Sequence, residues 1–340
     1  MIEISLVTLL IFLVLGVPVS FAIGLSGLLA IMFGSEIPAF MAVQQAIRGM
    51  NSFSLMAGPL FILAGEIMGA ADLSARILDF CRACVSSVRG GMGMVSVLAN
   101  MIFAGISGSG AATMSAVSTQ TVPELKKEGY DHGFIASMIA GSGALAPIIP
   151  PSTNMIVYAS LTGFSVGKLF MGGLMPGIII GICLMIMCYW YAKKYDVDRG
   201  SGAFSLRRVA KAFIKSFFAL ITPVIILAGV VTGFFTATES SIVACIYALI
   251  CGFFIYRTLK IGDLMGIFKR AASSSAMLMM IMGISNIYSY IFARENVTPV
   301  VEQFLLSITD NPSVLVFIII VMMLIIGCFM ETLPATAGIL

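Results

Sequence analysis

The chain has 340 residues, of which 59% are hydrophobic and 10% charged, and its mean hydropathy is +1.07. A soluble domain carries about 25% charged residues, so this composition excludes a water-soluble globular protein and points to an all-α polytopic membrane protein with no room for a separate soluble domain. The formal charge of +3 is too small to mark a nucleic-acid partner, and one histidine with seven scattered cysteines excludes a disulfide or metal framework.

Function classes narrow further on single motifs. Cys81 and Cys84 form a C-x-x-C on the apolar face of a helix, with no second pair and no partner histidine, so they read as packing residues, a metal or redox role being the lesser alternative. No phosphate-binding loop suggests ATP use. An enzyme acting on membrane-bound substrate needs a nucleophile or metal set near the interface. His132 has no acidic cluster beside it, so no enzyme and no organic cofactor is expected.

Taken in order, residues 1–30 lack a basic n-region and a small-residue cleavage site and read as a retained helix, with residues 6–33 as the first span. Residues 37–50 are shorter and less apolar. Residues 53–70 form the second span and carry Glu66 near one end, which reads either as a functional intramembrane carboxylate or as one that snorkels or is paired at the interface. In residues 73–88 the apolar Leu73, Ile77, Phe80, Cys81, Cys84, Val85 and Val88 share one helical face opposite Arg76, Asp79 and Arg82. That pattern predicts an amphipathic helix in the interface plane.

Residues 92–125 never become a clean span. Gly105-Ile-Ser-Gly-Ser-Gly-Ala-Ala-Thr113 interrupts them with three glycines, two serines and a threonine, leaving arms shorter than the ~20 residues a bilayer requires. Two readings follow: a small-residue seam between ordinary helices, or a re-entrant hairpin whose polar tip lies at membrane depth. Unpaired backbone there is tolerated only inside protein or against a watery cavity, where carbonyls, helix ends and hydroxyls serve an ion or an anionic solute.

Residues 133–162 are apolar but broken by Gly141-Ser-Gly143 and by Pro147, Pro150 and Pro151 ahead of Ser152-Thr-Asn154, which predicts a discontinuous helix facing the hairpin tip. Residues 166–191 close the first half, with Tyr189, Trp190 and Tyr191 at the interface end.

Residues 193–215 are a strongly basic linker, expected in the cytoplasm. Spans at 212–235, 240–255 and 271–292 follow, then a second amphipathic stripe at 297–308 and an apolar arm at 314–327 that is interrupted beyond Gly327. Glu239 reads either as part of a helix start capped by Thr238 or as a gate or subunit contact. Asn286 and Ser273–Ser275 read as interhelical hydrogen-bonders. The order of elements recurs, predicting a first inverted repeat at 1–192 and an incomplete second one at 212–340. With the N-terminus in the cytoplasm, the basic segments all fall on the positive-inside side. Inverted repeats with a hairpin and a broken helix are the architecture of an elevator- or rocking-type carrier, the in-plane helices bracing a moving transport domain against a scaffold.

At Gly58-Pro-Leu-Phe-Ile-Leu-Ala-Gly65, the 105–113 stretch, Ile149-Pro-Pro-Ser152, Gly173-Leu-Met-Pro-Gly177, Gly233-Phe-Phe-Thr-Ala-Thr-Glu-Ser240 and Gly327-Cys-Phe-Met-Glu-Thr-Leu-Pro334, the chain resembles the large membrane subunit of tripartite ATP-independent periplasmic (TRAP) transporters. The resemblance runs over nearly the whole chain. It implies sodium-coupled import of small carboxylates, such as C4-dicarboxylates or sialic acids, across the bacterial inner membrane, with Na⁺ as the only coupling ion. It also implies a periplasmic substrate-binding protein and a small four-helix membrane subunit as partners. By the same resemblance, a first sodium site draws on Ser107, Ser109 and carbonyls near Gly105, Gly143 and Pro150, and a second on Gly327, Met330 and Glu331. Ser109, Thr113, Pro151, Ser152 and Asn154 fall to the substrate. Gly110 stands where the family more often has a serine, and Glu331 where an aspartate is usual. The chain stops at Leu340, just past the second hairpin tip, and so reads as a C-terminally shortened member.

Overall fold

The structure, a computed structural model, describes residues 1–108, 110–200, 204–309 and 311–327; its regular elements are helices, with no strand among the described residues. In chain order these are α1 (Ile2–Val14), α2 (Val19–Gly34), α3 (Phe40–Met50), α4 (Ala57–Ala70), α5 (Leu73–Val85), α6 (Gly91–Ser107), α7 (Gly110–Lys127), α8 (His132–Gly143), α9 (Thr153–Thr162), α10 (Val166–Tyr195), α11 (Leu206–Val231), α12 (Ala237–Ile250), α13 (Asp263–Arg294), α14 (Val297–Ile308) and α15 (Pro312–Gly327). Among the described residues α10, α11, α13 and the stretch Ala237–Ile255 are each single helices long and apolar enough to cross a bilayer. The chain divides into two compact units. One holds Met1–Leu55, Ser160–Thr162 and the chain from Ala276 onward; the other holds Met56–Ala159 and Gly163–Ser275.

In the first unit the predicted span at 6–33 is two helices rather than one. Gly16 sits in the left-handed region at φ +76°, and Pro18 has no amide hydrogen to continue the ladder, so the chain reverses between α1 and α2. The helices pack antiparallel: a Cβ built on Gly34 would lie 3.0 Å from the Met1 Cα. Neither, at 13 and 16 residues, reaches the length of a span. The apolar run is continuous in hydropathy, and only the Gly-Val-Pro triplet marks the reversal. Tyr288 on α13 ties the pair, donating to the Ser5 carbonyl at 3.1 Å and sharing a 2.7 Å hydrogen bond with the Ser26 hydroxyl.

The second unit packs around Phe61, Met68, Ile77, Leu125, Met138 and Phe170. The amphipathic segment at 73–88 is helical as α5, and it buries Leu73, Ile77 and Cys81 as its pattern predicts. The buried stripe is rotated toward Leu78, while the Phe80 ring packs tilted against Phe213, their centres 5.9 Å apart, and Val88 is exposed. Burial pushes the Cys81 thiol up, which suits packing and not thiolate chemistry.

Three contacts fix α5. Ser216 donates to the Arg76 carbonyl at 2.6 Å, the Arg76 guanidinium lies 3.9 Å from the Tyr256 ring centre, and Arg82 donates to Glu124 on α7 at 2.7 Å. Glu66 on α4 is paired, accepting from Arg270 on α13 at 2.7 Å.

The linker after α10 is more than a basic tether. Asp196 accepts from both Arg89 and Arg199, and the Arg199 hydrogen bond, with the charge of both arginines, holds its carboxyl below the usual range. The contribution of this exposed carboxylate is therefore present at neutral pH and lost as pH falls through its lowered pKa.

Asp198 is buried and reaches into the base of the α6–α7 hairpin. Its carboxylate accepts from the Met92 amide at 2.7 Å and from the Tyr130 hydroxyl at 3.0 Å, while its backbone bonds Gly90 and Glu128. Burial, with the Asp198 charge second, pushes the Tyr130 phenol up and keeps it a donor across the physiological range.

At the start of α12 the cap is Thr236, not Thr238. The Thr236 hydroxyl accepts from the Glu239 amide, and the Glu239 carboxylate accepts from the Thr236 amide at 2.8 Å, forming a complete capping box. The Thr-x-x-Glu spacing needs the cap three residues before the glutamate, and Thr238 is one residue before it. Thr236→Ala is expected to cost about 1 kcal/mol, measured as a lowered midpoint of thermal unfolding in detergent; an unchanged midpoint would mean that the box contributes nothing.

Candidate functional site

The 92–125 segment forms a helical hairpin. Its arms, α6 and α7, are bridged by a 3.2 Å hydrogen bond between Ser96 and Thr121, both buried. α6 ends where Gly108 takes φ +59°, and α7 begins at Gly110. The discontinuous helix is equally clear. α8 stops at Gly143, tight turns carry the chain through Pro147 to Pro151, and α9 starts at Thr153. Prolines cannot donate to a helix ladder, so the break is built into the sequence. Ser152 re-starts the helix. Its hydroxyl donates to the Pro147 carbonyl at 2.7 Å and accepts from the Met155 amide at 3.4 Å.

The two breaks meet within the second unit. A Cβ on Gly105 would lie 3.3 Å from the Pro150 carbonyl oxygen, one on Gly108 would lie 2.9 Å from that of Pro151, and one on Gly110 would lie 3.3 Å from that of Gly143. The Thr153 hydroxyl donates to the Gly108 carbonyl at 3.1 Å, a direct tie from broken helix to hairpin tip. Three glycines thus let three carbonyl oxygens approach, and hard oxygen ligands are what a small cation takes. Pro223 on α11 closes the flank of Gly105.

Of the residues singled out from sequence, Gly105, Gly143, Pro150, Pro151 and Ser152 come together here, and Thr113 is buried on α7. Gly143 is packed so closely by Met114 that it has no room for a side chain. Asn154 is half-buried in the first turn of α9. Ser107 ends α6, and Ser109 lies outside the described residues. Gly327 ends α15 in the first unit, and a Cβ placed on it would meet nothing within 4 Å; Met330 and Glu331 lie outside the described residues.

Two residues escaped the sequence reading. Thr153 follows the N-cap serine, and nothing local marks it as the tie to the tip. Asn100 is fully buried on α6, with its amide donating to Ser142 on α8 at 2.6 Å and its carbonyl oxygen without a partner among the described residues. A lone asparagine in an apolar membrane segment was the available signal. Thr153→Val is expected to loosen the tip at a cost of about 1 kcal/mol. Faster amide exchange at residues 104–108, with little change elsewhere, is the measurement that checks it; unchanged exchange would show that the bond does not hold the tip.

Residues 6–339 match the family described as tripartite ATP-independent periplasmic transporter, DctM component. The chain is similar to the isethionate TRAP transporter permease protein DctMQ of Oleidesulfovibrio alaskensis, at 38% identity over 95% of this chain and 51% of that protein. It is similar to the 2,3-diketo-L-gulonate TRAP transporter large permease protein YiaN of Escherichia coli, at 35% identity over 94% of this chain and 75% of that protein. With the sialic acid TRAP transporter large permease protein SiaM of Vibrio cholerae it shares 32% identity over 94% of this chain and 74% of that protein. The chain therefore spans about half the length of the first and about three quarters of the other two. A family match over nearly the whole length, on a chain whose hairpin tip and broken helix meet, makes this an all-α polytopic membrane protein that belongs to the TRAP transporter large permease family.

Proposed function

We propose that the chain is the membrane-embedded carrier of a TRAP system that imports a small organic acid on a sodium gradient. The observation that carries this reading is the approach of the Gly143, Pro150 and Pro151 carbonyls to the glycine tip. Sodium is held between the tip (Gly105, Ser107 and Ser109) and the break (Gly143 and Pro150), the carbonyls supplying oxygen ligands without a net charge. A second sodium draws on Gly327, Met330 and Glu331. The anionic solute lies beside the first site, against Ser109, Thr113, Pro151, Ser152 and Asn154, where the positive end of α9 favours a carboxylate. A sulfonate or sugar acid of the kind named for the relatives fits the same chemistry.

A periplasmic binding protein delivers the solute, a small membrane subunit completes the scaffold, and the N-terminus faces the cytoplasm. The hairpin and broken helix move together, elevator-fashion, because Thr153 ties them. The test is uptake of isethionate, diketogulonate, sialic acid and C4-dicarboxylates into proteoliposomes holding the gene product with both partners. Uptake that needs an inward sodium gradient supports the reading; uptake at equal rate without sodium removes the coupling, and no uptake of any acid removes the solute class.

A further inference from the structure

We propose that the C-terminal end of α10 carries a binding groove for one anionic phospholipid of the cytoplasmic leaflet. The groove has a volume of about 1010 Å³ and lies along α10 beside α8 in the second unit. Its walls are Cys183, Met187 and Trp190 on α10 and Phe134 on α8, and Lys193 and Lys194 stand at its mouth. Neither lysine forms an ion pair among the described residues. Asp196, the nearest carboxylate in sequence, is held instead by Arg89 and Arg199. Lys194 is positioned by Tyr195, with its ammonium 5.2 Å from the ring centre. Tyr191 backs the groove, stacked on Phe134 at 3.6 Å and packed on Tyr195 at 4.6 Å, so the aromatic wall is preformed.

Three features choose the occupant. Two unpaired ammonium groups at the mouth call for a phosphate. Walls of Met, Cys, Trp and Phe below them call for hydrocarbon, so a soluble anion satisfies only half the groove. Length decides the rest. From Lys194 to Cys183 the helix rises about 16 Å at ~1.5 Å per residue, close to half of a ~30 Å hydrocarbon core, which is the depth of one leaflet's acyl chain. The proposal rests on the membrane fold and on the proposed cytoplasmic side of the basic linker, and not on the transport reading.

Trp190 is the only tryptophan in the chain and is 70% exposed in the groove, so its fluorescence reports on this place alone. The experiment places the full chain in lipid vesicles and titrates phosphatidylglycerol or phosphatidylcholine, each brominated on its acyl chains, over the same range of mole fractions. Quenching by the brominated anionic lipid is expected at a roughly tenfold lower mole fraction, a preference two lysines at headgroup level can supply. Lys193→Gln with Lys194→Gln should abolish the preference and leave quenching by phosphatidylcholine unchanged, which also shows that the variant is folded. Equal quenching by both lipids in the parent chain, a preference that survives the double substitution, or no quenching because a protein helix fills the groove would each overturn the proposal.

Discussion

Asp198→Ala is expected to destabilise the hairpin by about 3 kcal/mol. The carboxylate is buried, sits at the positive end of α6, and accepts one hydrogen bond from the Met92 amide and one from the Tyr130 hydroxyl. Hydrogen bonds to a charged group contribute about 1.5–3 kcal/mol each, the helix end adds several tenths, and the two donors would be left unpaired. These contributions overlap, so about 3 kcal/mol, and not their sum, is the expected loss.

Both donors share one carboxylate oxygen, Oδ2, so Asp198→Asn can keep both bonds through its amide oxygen and loses the charge, and an intermediate loss is expected. Tyr130→Phe should cost about 1–1.5 kcal/mol and, combined with Asp198→Asn, less than the two losses added. Thermal unfolding in detergent reads all four proteins. A midpoint in Asp198→Ala equal to the parent's would show that the linker does not hold the hairpin base.

That a carboxylate in the basic linker anchors the hairpin was not legible in the sequence. The partners of Asp198 lie 106 and 68 residues away, and its neighbours are read first as positive charge. The same distance hid the Glu66–Arg270 pair, although Glu66 itself stood out as an intramembrane carboxylate, with pairing one of its readings. What the sequence disclosed was punctuation. Prolines at 147, 150 and 151 and glycines at 105, 108 and 110 forecast the broken helix and the tip, because backbone that cannot remain helical in a membrane has to be enclosed by something.

Other punctuation is fainter: at Gly16 and Pro18 a continuous apolar run conceals a reversal, and at the start of α12 Thr238 lies nearer to Glu239 than Thr236, whose three-residue spacing makes the capping box. The orientation of individual ties, Thr153 to Gly108 and Asn100 to Ser142, depends on helix rotation, to which hydropathy is blind when every face of a helix is apolar.

Gly108→Ala is expected to reduce sodium-dependent uptake more than tenfold while leaving the protein folded. Two effects act together. At φ +59° a Cβ costs about 1–2 kcal/mol. That Cβ would also lie 2.9 Å from the Pro151 carbonyl oxygen and 3.3 Å from the Thr153 amide nitrogen, both backbone atoms with little freedom to yield. The tip must therefore retreat from the break, which separates the carbonyls proposed to share the ion and stretches the Thr153 bond. Gly163 separates the two effects, because it has φ +71° at the end of α9 but nothing within 4 Å of a Cβ. Gly163→Ala carries the backbone strain without the collision, and its uptake should stay within a few-fold of the parent's. The second readout is protection by sodium against thermal unfolding, which should vanish in Gly108→Ala and persist in Gly163→Ala. If both variants lose uptake equally, strain and not the meeting of tip and break is responsible; if Gly108→Ala keeps both uptake and sodium protection, the ion binds elsewhere.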